Sequence, residues 1–160
     1  MAKEIQLTQG YSTIVDDKYY NDLIKYKWHV SKNSNNDYYA RRRYSNKLLN
    51  MHRIIMKLAG FNINGFIIDH INGNTLDNRI ENLRLANKSQ NTINSKISKH
   101  NTSGFKGVSW DKSTQKWVVR IKANNIQYNL GRFIDKIHAA KVYNEAALKY
   151  FGEFARLNKI

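Results

Sequence analysis

The sequence contains no cysteine and no apolar run close to the length of a membrane-spanning helix. Without cysteine there are no disulfides, no disulfide-linked partner and no thiolate metal sites, so oxygen and imidazole ligands would have to hold any metal ion. Such ligands favour hard cations such as Mg²⁺ or Mn²⁺. Because crossing a bilayer takes about 20 apolar residues and the first residues lack the apolar core of a signal peptide, we expect an intracellular protein without a membrane partner.

Acidic residues are scarce as well. Asp and Glu number 12 against 27 Lys and Arg, which gives a formal net charge of +15 over 160 residues. The excess is +8 for residues 1–100 and +7 for residues 101–160, so it is not confined to one tail. A merely soluble surface can also be basic, but an excess of this size makes a polyanion, above all nucleic acid, the expected partner.

The chain has room for one ordinary domain or two small ones. Residues 1–50 contain four segments with alternating apolar and polar side chains or with aromatic β-formers, which predicts a small antiparallel sheet. Residues 47–60 then carry apolar side chains at helical spacing before a terminal glycine, which predicts an amphipathic helix with its apolar stripe in the core. The stripe consists of Leu48, Met51, Ile55 and Leu58.

A change of pattern divides the rest of the chain. A short buried strand, "GFIID", a loop, a second strand, "NLRLA", and a helix over residues 88–97 complete the first domain, residues 1–95. Residues 96–103 have little apolar content and predict a linker. Residues 104–160 read as three strands followed by a helix from an Asp135 cap to Gly152. The expected fold class is α+β.

The densest group of chemically useful side chains is "DHINGNTLDNRIENLR", residues 69–84. A carboxylate at Asp69 can hold a divalent cation, and a neutral imidazole at His70 can take a proton from water. Phosphodiester hydrolysis needs both a bound cation and a group that accepts a proton. The structural alternative is that Asp69 is a cap and His70 a loop residue with its hydrogen bonds satisfied.

Four asparagines and two arginines accompany this pair. The amides of Asn72, Asn74, Asn78 and Asn82 can brace a loop that lacks secondary structure, and a structural role is the main one expected for them. Arg79 and Arg84 have the charge and fork shape that suit phosphate, and the alternative for both is a solvated charge.

The order "DHINGN…DNRIENLR…SQN" resembles the HNH endonucleases, in the phage-type group of homing enzymes, and the likeness covers residues 1–95. This resemblance implies a ββα-metal fold around one Mg²⁺ or Mn²⁺ ion. It implies His70 as general base and Asp69 as metal ligand, Asn82 as the residue that orders the loop and orients the histidine, and Asn91 as second metal ligand. Asn91 has an alternative as an ordinary helix residue, and His52 matches a recurrent family position or is a core histidine.

The second unit, "FKGVSW…KWVVRI…YNLGRF…AAKVYNEAALKYFGEFARLN", resembles the AP2 domain, a DNA-binding module also found attached to HNH nucleases. AP2 domains lay a three-stranded sheet in the major groove. On the second strand Val118, Arg120 and Lys122 share one face. The resemblance places the DNA contacts at Lys106, Ser109, Arg120, Lys122, Gln127 and Asn129.

This unit departs from the plant AP2 pattern at Ser109 and Asn129, so the plant target sequence does not carry over. The alternative for Arg120 and Lys122 is an exposed polar edge, and Trp117 and Tyr143 are expected in the core.

We therefore expect a metal-dependent DNA endonuclease that binds double-stranded DNA, with a monomer favoured. A monomer would nick one strand, whereas a dimer would cut both. The alternative from another class is a catalytically inactive, sequence-specific DNA-binding regulator. An RNA-binding protein has little support, because the motifs of single-strand modules are absent.

Overall fold

The computed structural model describes residues 1–34 and 36–160. These residues form two compact units, Met1–Lys88 and Ser89–Ile160. No helix in the described part of the chain is both long and apolar enough to span a bilayer.

The first unit combines three small antiparallel sheets with two helices. The first sheet pairs β1 with β2, the second has the order β3-β4-β5, and the third is a hairpin of β6 and β7. The chain order is β1 (Ala2–Gln6), β2 (Ser12–Asp16), α1 (Asp17–Leu23), β3 (His29–Lys32), β4 (Tyr38–Tyr44), β5 (Lys47–Asn50), α2 (Met51–Leu58), β6 (Ile67–His70) and β7 (Leu83–Ala86).

The predicted strands of residues 1–50 are confirmed, but they form two sheets rather than the single predicted sheet. The helix predicted over residues 47–60 is wrong at its start. Residues 47–50 form β5, which pairs with β4 across a tight turn whose central residues, Ser45 and Asn46, both have positive φ. Such a turn suits the twist of a hairpin, so α2 begins only at Met51. Half of the predicted stripe is therefore buried, Met51 and Ile55, while Leu48 and Leu58 are exposed.

The second unit contains a three-stranded antiparallel sheet of order β10-β9-β8, covered on one face by a helix. The predicted order of three strands and one helix is confirmed. The Asp135 side chain accepts the N–H of His138 as the predicted cap. Its elements are β8 (Val108–Asp111), β9 (Lys116–Ala123), β10 (Ile126–Phe133) and α4 (Lys136–Phe151), preceded by α3 (Lys88–Ile93) at the boundary between the units.

Small side chains bring α4 close to the sheet. Ala139, Ala140 and Ala147 are fully buried and Tyr143 is 4% exposed, all packed against the inner face of β8 and β9. Tyr150, one helical turn after Ala147, is partly exposed and stacks on Tyr128.

The predicted linker is partly hydrogen-bonded into the second unit. Ser103 is 1% exposed, and its hydroxyl donates to the carbonyl of Val108 at 2.7 Å. The Asn101 amide donates to the carbonyl of Phe105 at 2.9 Å. The predicted helix over residues 88–97 ends earlier, at Ile93.

Candidate active site

Asp69 and His70 lie at the end of β6, where the strand leaves the hairpin. The pairing with β7 sets Asp69 opposite Arg84 and His70 opposite Leu83. Both side chains are buried, with 6% and 4% of their surface exposed. The apolar lead-in and the cross-strand pairing therefore fix both residues at the start of loop 71–82.

Side-chain amides hold loop 71–82 in place. The Asn82 amide accepts the backbone N–H of Asn72 at 2.9 Å and donates to the backbone carbonyl of Asp77 at 2.8 Å. The Asn72 amide donates to the Asp77 carboxylate at 2.9 Å and accepts the N–H of Asn74 at 2.7 Å. The expectation that asparagines brace the loop is confirmed, because these bonds satisfy backbone groups that no helix or sheet satisfies.

One asparagine reaches the histidine directly. Asn78 is 1% exposed, and its Nδ2 donates to Thr13 Oγ1 at 2.8 Å. The Thr13 hydroxyl donates in turn to the carbonyl of Leu76 at 2.7 Å. The Asn78 Oδ1 is thus the acceptor at 3.1 Å from His70 Nε2, which carries the proton. In the neutral tautomer fixed by this bond, the lone pair of His70 is on Nδ1.

The surroundings of His70 favour its neutral form. Burial lowers the pKa of His70, and this effect exceeds the opposing influence of the Asn78 hydrogen bond and of the carboxylates of Asp69 and Asp77. A neutral imidazole is the form that accepts a proton, so the site provides a base at neutral pH.

Removing the Asn78 amide is expected to slow catalysis by this base. In Asn78→Ala the imidazole loses the partner that fixes its tautomer and orientation, so we expect the DNA cleavage implied by the resemblance to HNH endonucleases to fall by about 10- to 100-fold. Asn74→Ala is the matched control, since Asn74 lies in the same loop but is exposed and bonds to the backbone of Leu76. Single-turnover cleavage at saturating protein measures both; equal rates for the two variants would contradict the role of Asn78.

His70 also packs in a cluster of rings from three elements. His52 on α2 meets it edge-on, with ring centroids 5.2 Å apart, and Tyr39 on β4 lies 6.2 Å from His70 and 5.6 Å from His52. Burial, followed by the neighbouring His70, lowers the pKa of His52 to about 3. His52 is therefore a buried neutral histidine against the candidate base, and the sequence had left it between a functional and a core role.

The buried His52 predicts a loss of stability in mild acid. The unfolded chain takes up a proton at this position near pH 6.5, whereas the folded chain takes it up only near pH 3. The unfolded state therefore binds more protons between these values, and the free energy of unfolding should fall by about 2–3 kcal/mol from pH 7.5 to 4.5. Urea unfolding in EDTA measures this change. In His52→Leu the decrease should be clearly smaller; an unchanged decrease would contradict the assignment.

Both arginines of the segment pair with carboxylates of the same site. Arg84 donates from Nε and Nη2 to one oxygen of Asp69, Oδ2, with both distances 2.8 Å. Arg79 donates to both carboxylate oxygens of Asp77 at 2.8 Å, which lowers the pKa of Asp77. Their predicted role as phosphate ligands stays a prediction, and each already has a structural role.

A hard cation fits the donors at the end of β6 in chemical type. Mg²⁺ is commonly held by one or two carboxylates, with waters and substrate phosphates completing the shell. Asp69 provides a buried carboxylate, which also pairs with Arg84. The described residues contain no cluster of three or more His, Asp or Glu, so a metal here would depend on amide, water and phosphate oxygens. Asn91, the other predicted ligand, lies on α3 in the second unit.

The sheet of the second unit carries the other candidate surface. Its strand pairing sets Arg120 opposite Asn129 and Lys122 opposite Gln127, on the face away from α4. All four are exposed, as is Ser109 on β8. Of the six residues of this unit that were predicted to contact DNA, five therefore share one face.

Three details of this surface differ from the sequence interpretation. Lys106 lies before β8, and its ammonium group donates to the backbone carbonyls of Ile93 and Ser95. Val118, expected to meet DNA, is 1% exposed. Arg132, which was not predicted, lies opposite Val118 on the same face, 3.6 Å from the Asp111 carboxylate. Simple alternation along β10 would place Arg132 on the face opposite Gln127 and Asn129, and only the irregularity between Asn129 and Gly131 brings it to this face.

The candidate active site is thus a buried Asp–His pair at the end of a β-hairpin strand, backed by an amide-braced loop. The sequence pattern described as HNH endonuclease matches residues 50–93. The chain is 32% identical over 140 residues to "Uncharacterized HNH endonuclease L560" of Acanthamoeba polyphaga mimivirus, which covers 86% of this chain and 70% of that protein. It is 39% identical over 92 residues to "Protein 3.8" of Escherichia phage T7, covering 58% of this chain and 75% of that protein.

The chain belongs to the HNH endonuclease family. Membership implies nuclease activity, and the matched residues include α2, the β6–β7 hairpin and loop 71–82. No solved structure matches the chain.

Proposed function

We propose that this protein is a metal-dependent DNA endonuclease of the homing type that nicks duplex DNA. The observation that carries the proposal is the buried Asp69–His70 pair, in which Asn78 fixes the tautomer that keeps the lone pair on His70 Nδ1. The double-stranded substrate is supported by the net charge of +15 and by the polar and basic face of the second sheet.

The reaction assigned to this site is hydrolysis of one phosphodiester bond. His70 Nδ1 accepts a proton from water as the water oxygen attacks phosphorus, and the bond from phosphorus to the 3′ oxygen breaks. The products are a 3′ hydroxyl, which takes a proton from solvent, and a 5′ phosphate. Asp69, with Asn91 as second ligand, would hold Mg²⁺ or Mn²⁺, which supplies positive charge for the developing oxyanions. Asn82 keeps loop 71–82 closed behind the base.

The second unit is assigned to DNA recognition in the manner of an AP2 domain. Its outer face presents Ser109, Arg120, Lys122, Gln127 and Asn129 to a duplex, with Arg132 as an additional cation. Amide and guanidinium groups read base edges, whereas the lysine contacts phosphate.

Incubation of the full chain with supercoiled plasmid tests the nuclease. We expect nicked circles with Mg²⁺ or Mn²⁺ and none with EDTA. A protein that binds duplex DNA but produces no nick with either metal is a regulator, and the nuclease proposal is then wrong. Binding that does not weaken as salt rises would contradict the DNA role itself.

A further inference from the structure

The first unit needs cations that reach the DNA backbone beside its candidate active site. The two arginines of residues 69–84 have other partners, since Arg79 pairs with Asp77 and Arg84 with Asp69. Arg53 donates to the backbone carbonyls of Phe66 and Ile63. The basic strand β4, with the sequence "YYARRRY", carries three further arginines.

Side chains of β4 alternate between two environments. Arg42 points to the face where its guanidinium carbon lies 3.7 Å from the centroid of the Tyr26 ring, with Trp28 and Tyr44 also beside it. The residues on the other face are Tyr39, Arg41 and Arg43. We name these three residues the arginine row.

The arginine row begins at the active site. The Tyr39 ring lies 6.2 Å from the His70 ring, and the Asp69 carboxylate acts on the Tyr39 hydroxyl electrostatically. The guanidinium of Arg41 lies 5.1 Å from the Tyr39 ring centroid, and its charge acts on His52. Arg43 continues the row toward the exposed turn of the β4–β5 hairpin. Same-face residues on a strand are about 7 Å apart, a spacing close to that of neighbouring phosphates in one DNA strand.

Neutral partners hold Arg41 in place. Its Nε donates to Asn50 Oδ1 at 2.7 Å, and its Nη1 donates to Ser31 Oγ at 3.1 Å. Within the ranges 1–34 and 36–160, no carboxylate forms an ion pair with Arg41. The side chain is thus oriented on both neighbouring strands while its positive charge is left unneutralised, as expected of a phosphate ligand.

We propose that the arginine row binds consecutive phosphates of the DNA strand that is cut, with Arg41 on the phosphate nearest the scissile bond and Arg43 on the next. This inference rests on the proposed nuclease function and adds to it a backbone contact in the first unit. The row carries no information on base sequence; it sets the register of the strand over His70.

Salt-dependent binding tests the row without any cleavage. In a His70→Ala background with EDTA, binding of a duplex oligonucleotide is measured at several salt concentrations. Each lost phosphate contact should make the slope of log affinity against log salt shallower by about 0.9. We expect this change in Arg41→Gln and again in Arg43→Gln, whereas Arg41→Lys, which keeps the charge, should retain the slope. Lys57→Gln removes an exposed charge of α2 and serves as the matched control, with an unchanged slope.

The outcomes separate the row from the nuclease. If both glutamine variants keep the slope of the His70→Ala parent and its melting temperature, the arginine row does not bind phosphates, even if the wild-type protein nicks plasmid. If the glutamine variants have shallower slopes but the wild-type protein never nicks DNA, the phosphate-binding role of the arginine row is supported and the nuclease function is rejected. Arg43 is exposed, so Arg43→Gln decides the matter if Arg41→Gln fails to fold.

Discussion

Replacing His70 with alanine is expected to reduce plasmid nicking about a thousandfold. A positioned general base contributes 10²- to 10⁴-fold to such a reaction, and alanine leaves no group that accepts the proton of the attacking water. Duplex binding should persist, because the cationic side chains are unchanged. The measurement is the single-turnover rate of conversion of supercoiled to nicked plasmid in Mg²⁺, together with an affinity measured in EDTA.

The matched control for this variant is His100→Ala, which removes an exposed histidine of the second unit. Its rate should equal that of the wild type. A His70→Ala protein that is folded, binds DNA and nicks within threefold of the wild-type rate would show that the base lies elsewhere. Asn78→Ala should fall between these two, since it disturbs the orientation of the imidazole but leaves it in the site.

The sequence predicted the position of this site because the evidence for it is local. An apolar run leads into Asp69 and His70, turn-forming residues follow, and a second apolar run begins at Leu83. Strand, loop and strand follow from that pattern alone. The candidate base was therefore identifiable without any knowledge of the fold.

The partners inside the site could not be predicted in this way. Asn72, Asn74, Asn78 and Asn82 are chemically alike, and only the path of the loop past β2 brings one of them, Asn78, between Thr13 and His70. These contacts join residues 65 and 8 positions apart in the chain. Spacing in one sequence does not determine such pairs.

The strand register explains why Arg84 pairs with Asp69, although the sequence predicted it as a phosphate ligand. The fork of an arginine suits phosphate, which is what residue chemistry predicted. The β6–β7 pairing, however, sets Arg84 directly opposite Asp69, and a directly opposed cation and carboxylate form an ion pair. A change of register by one residue would send both side chains to the other face.

Secondary-structure prediction from local residue patterns failed where pairing between strands determines the structure. Leu48 fits the predicted helical stripe, yet the turn at Ser45 and Asn46 folds it back onto β4 as part of a strand. The helix α1 was not predicted, because only Tyr19, Tyr20 and Leu23 of its seven residues are aromatic or apolar. In the second unit β9, β10 and α4 were predictable because they are long, with eight residues in each strand and sixteen in the helix.

Substituting Gly107 with alanine is expected to destabilise the second unit by about 3 kcal/mol. Gly107 has φ of +74°, a conformation that costs a residue with a Cβ about 1 kcal/mol or more. An added Cβ would lie 2.0 and 2.1 Å from two ring carbons of Tyr143 and 2.8 Å from the backbone oxygen of Arg120. Tyr143 is 4% exposed in the core under α4, so the ring cannot withdraw without disturbing the helix.

Gly104→Ala separates the clash from the backbone strain. Gly104 has nearly the same φ, +76°, but an added Cβ there would meet nothing within 4 Å. We expect Gly104→Ala to cost only the strain, about 1 kcal/mol, and Gly107→Ala to cost about 2 kcal/mol more. Urea unfolding followed by tryptophan fluorescence reports on this unit, because two of the three tryptophans, Trp110 and Trp117, belong to it. Equal losses in the two variants would mean that α4 can shift away from β8, so that the close contact between Gly107 and Tyr143 would not position the helix on the sheet.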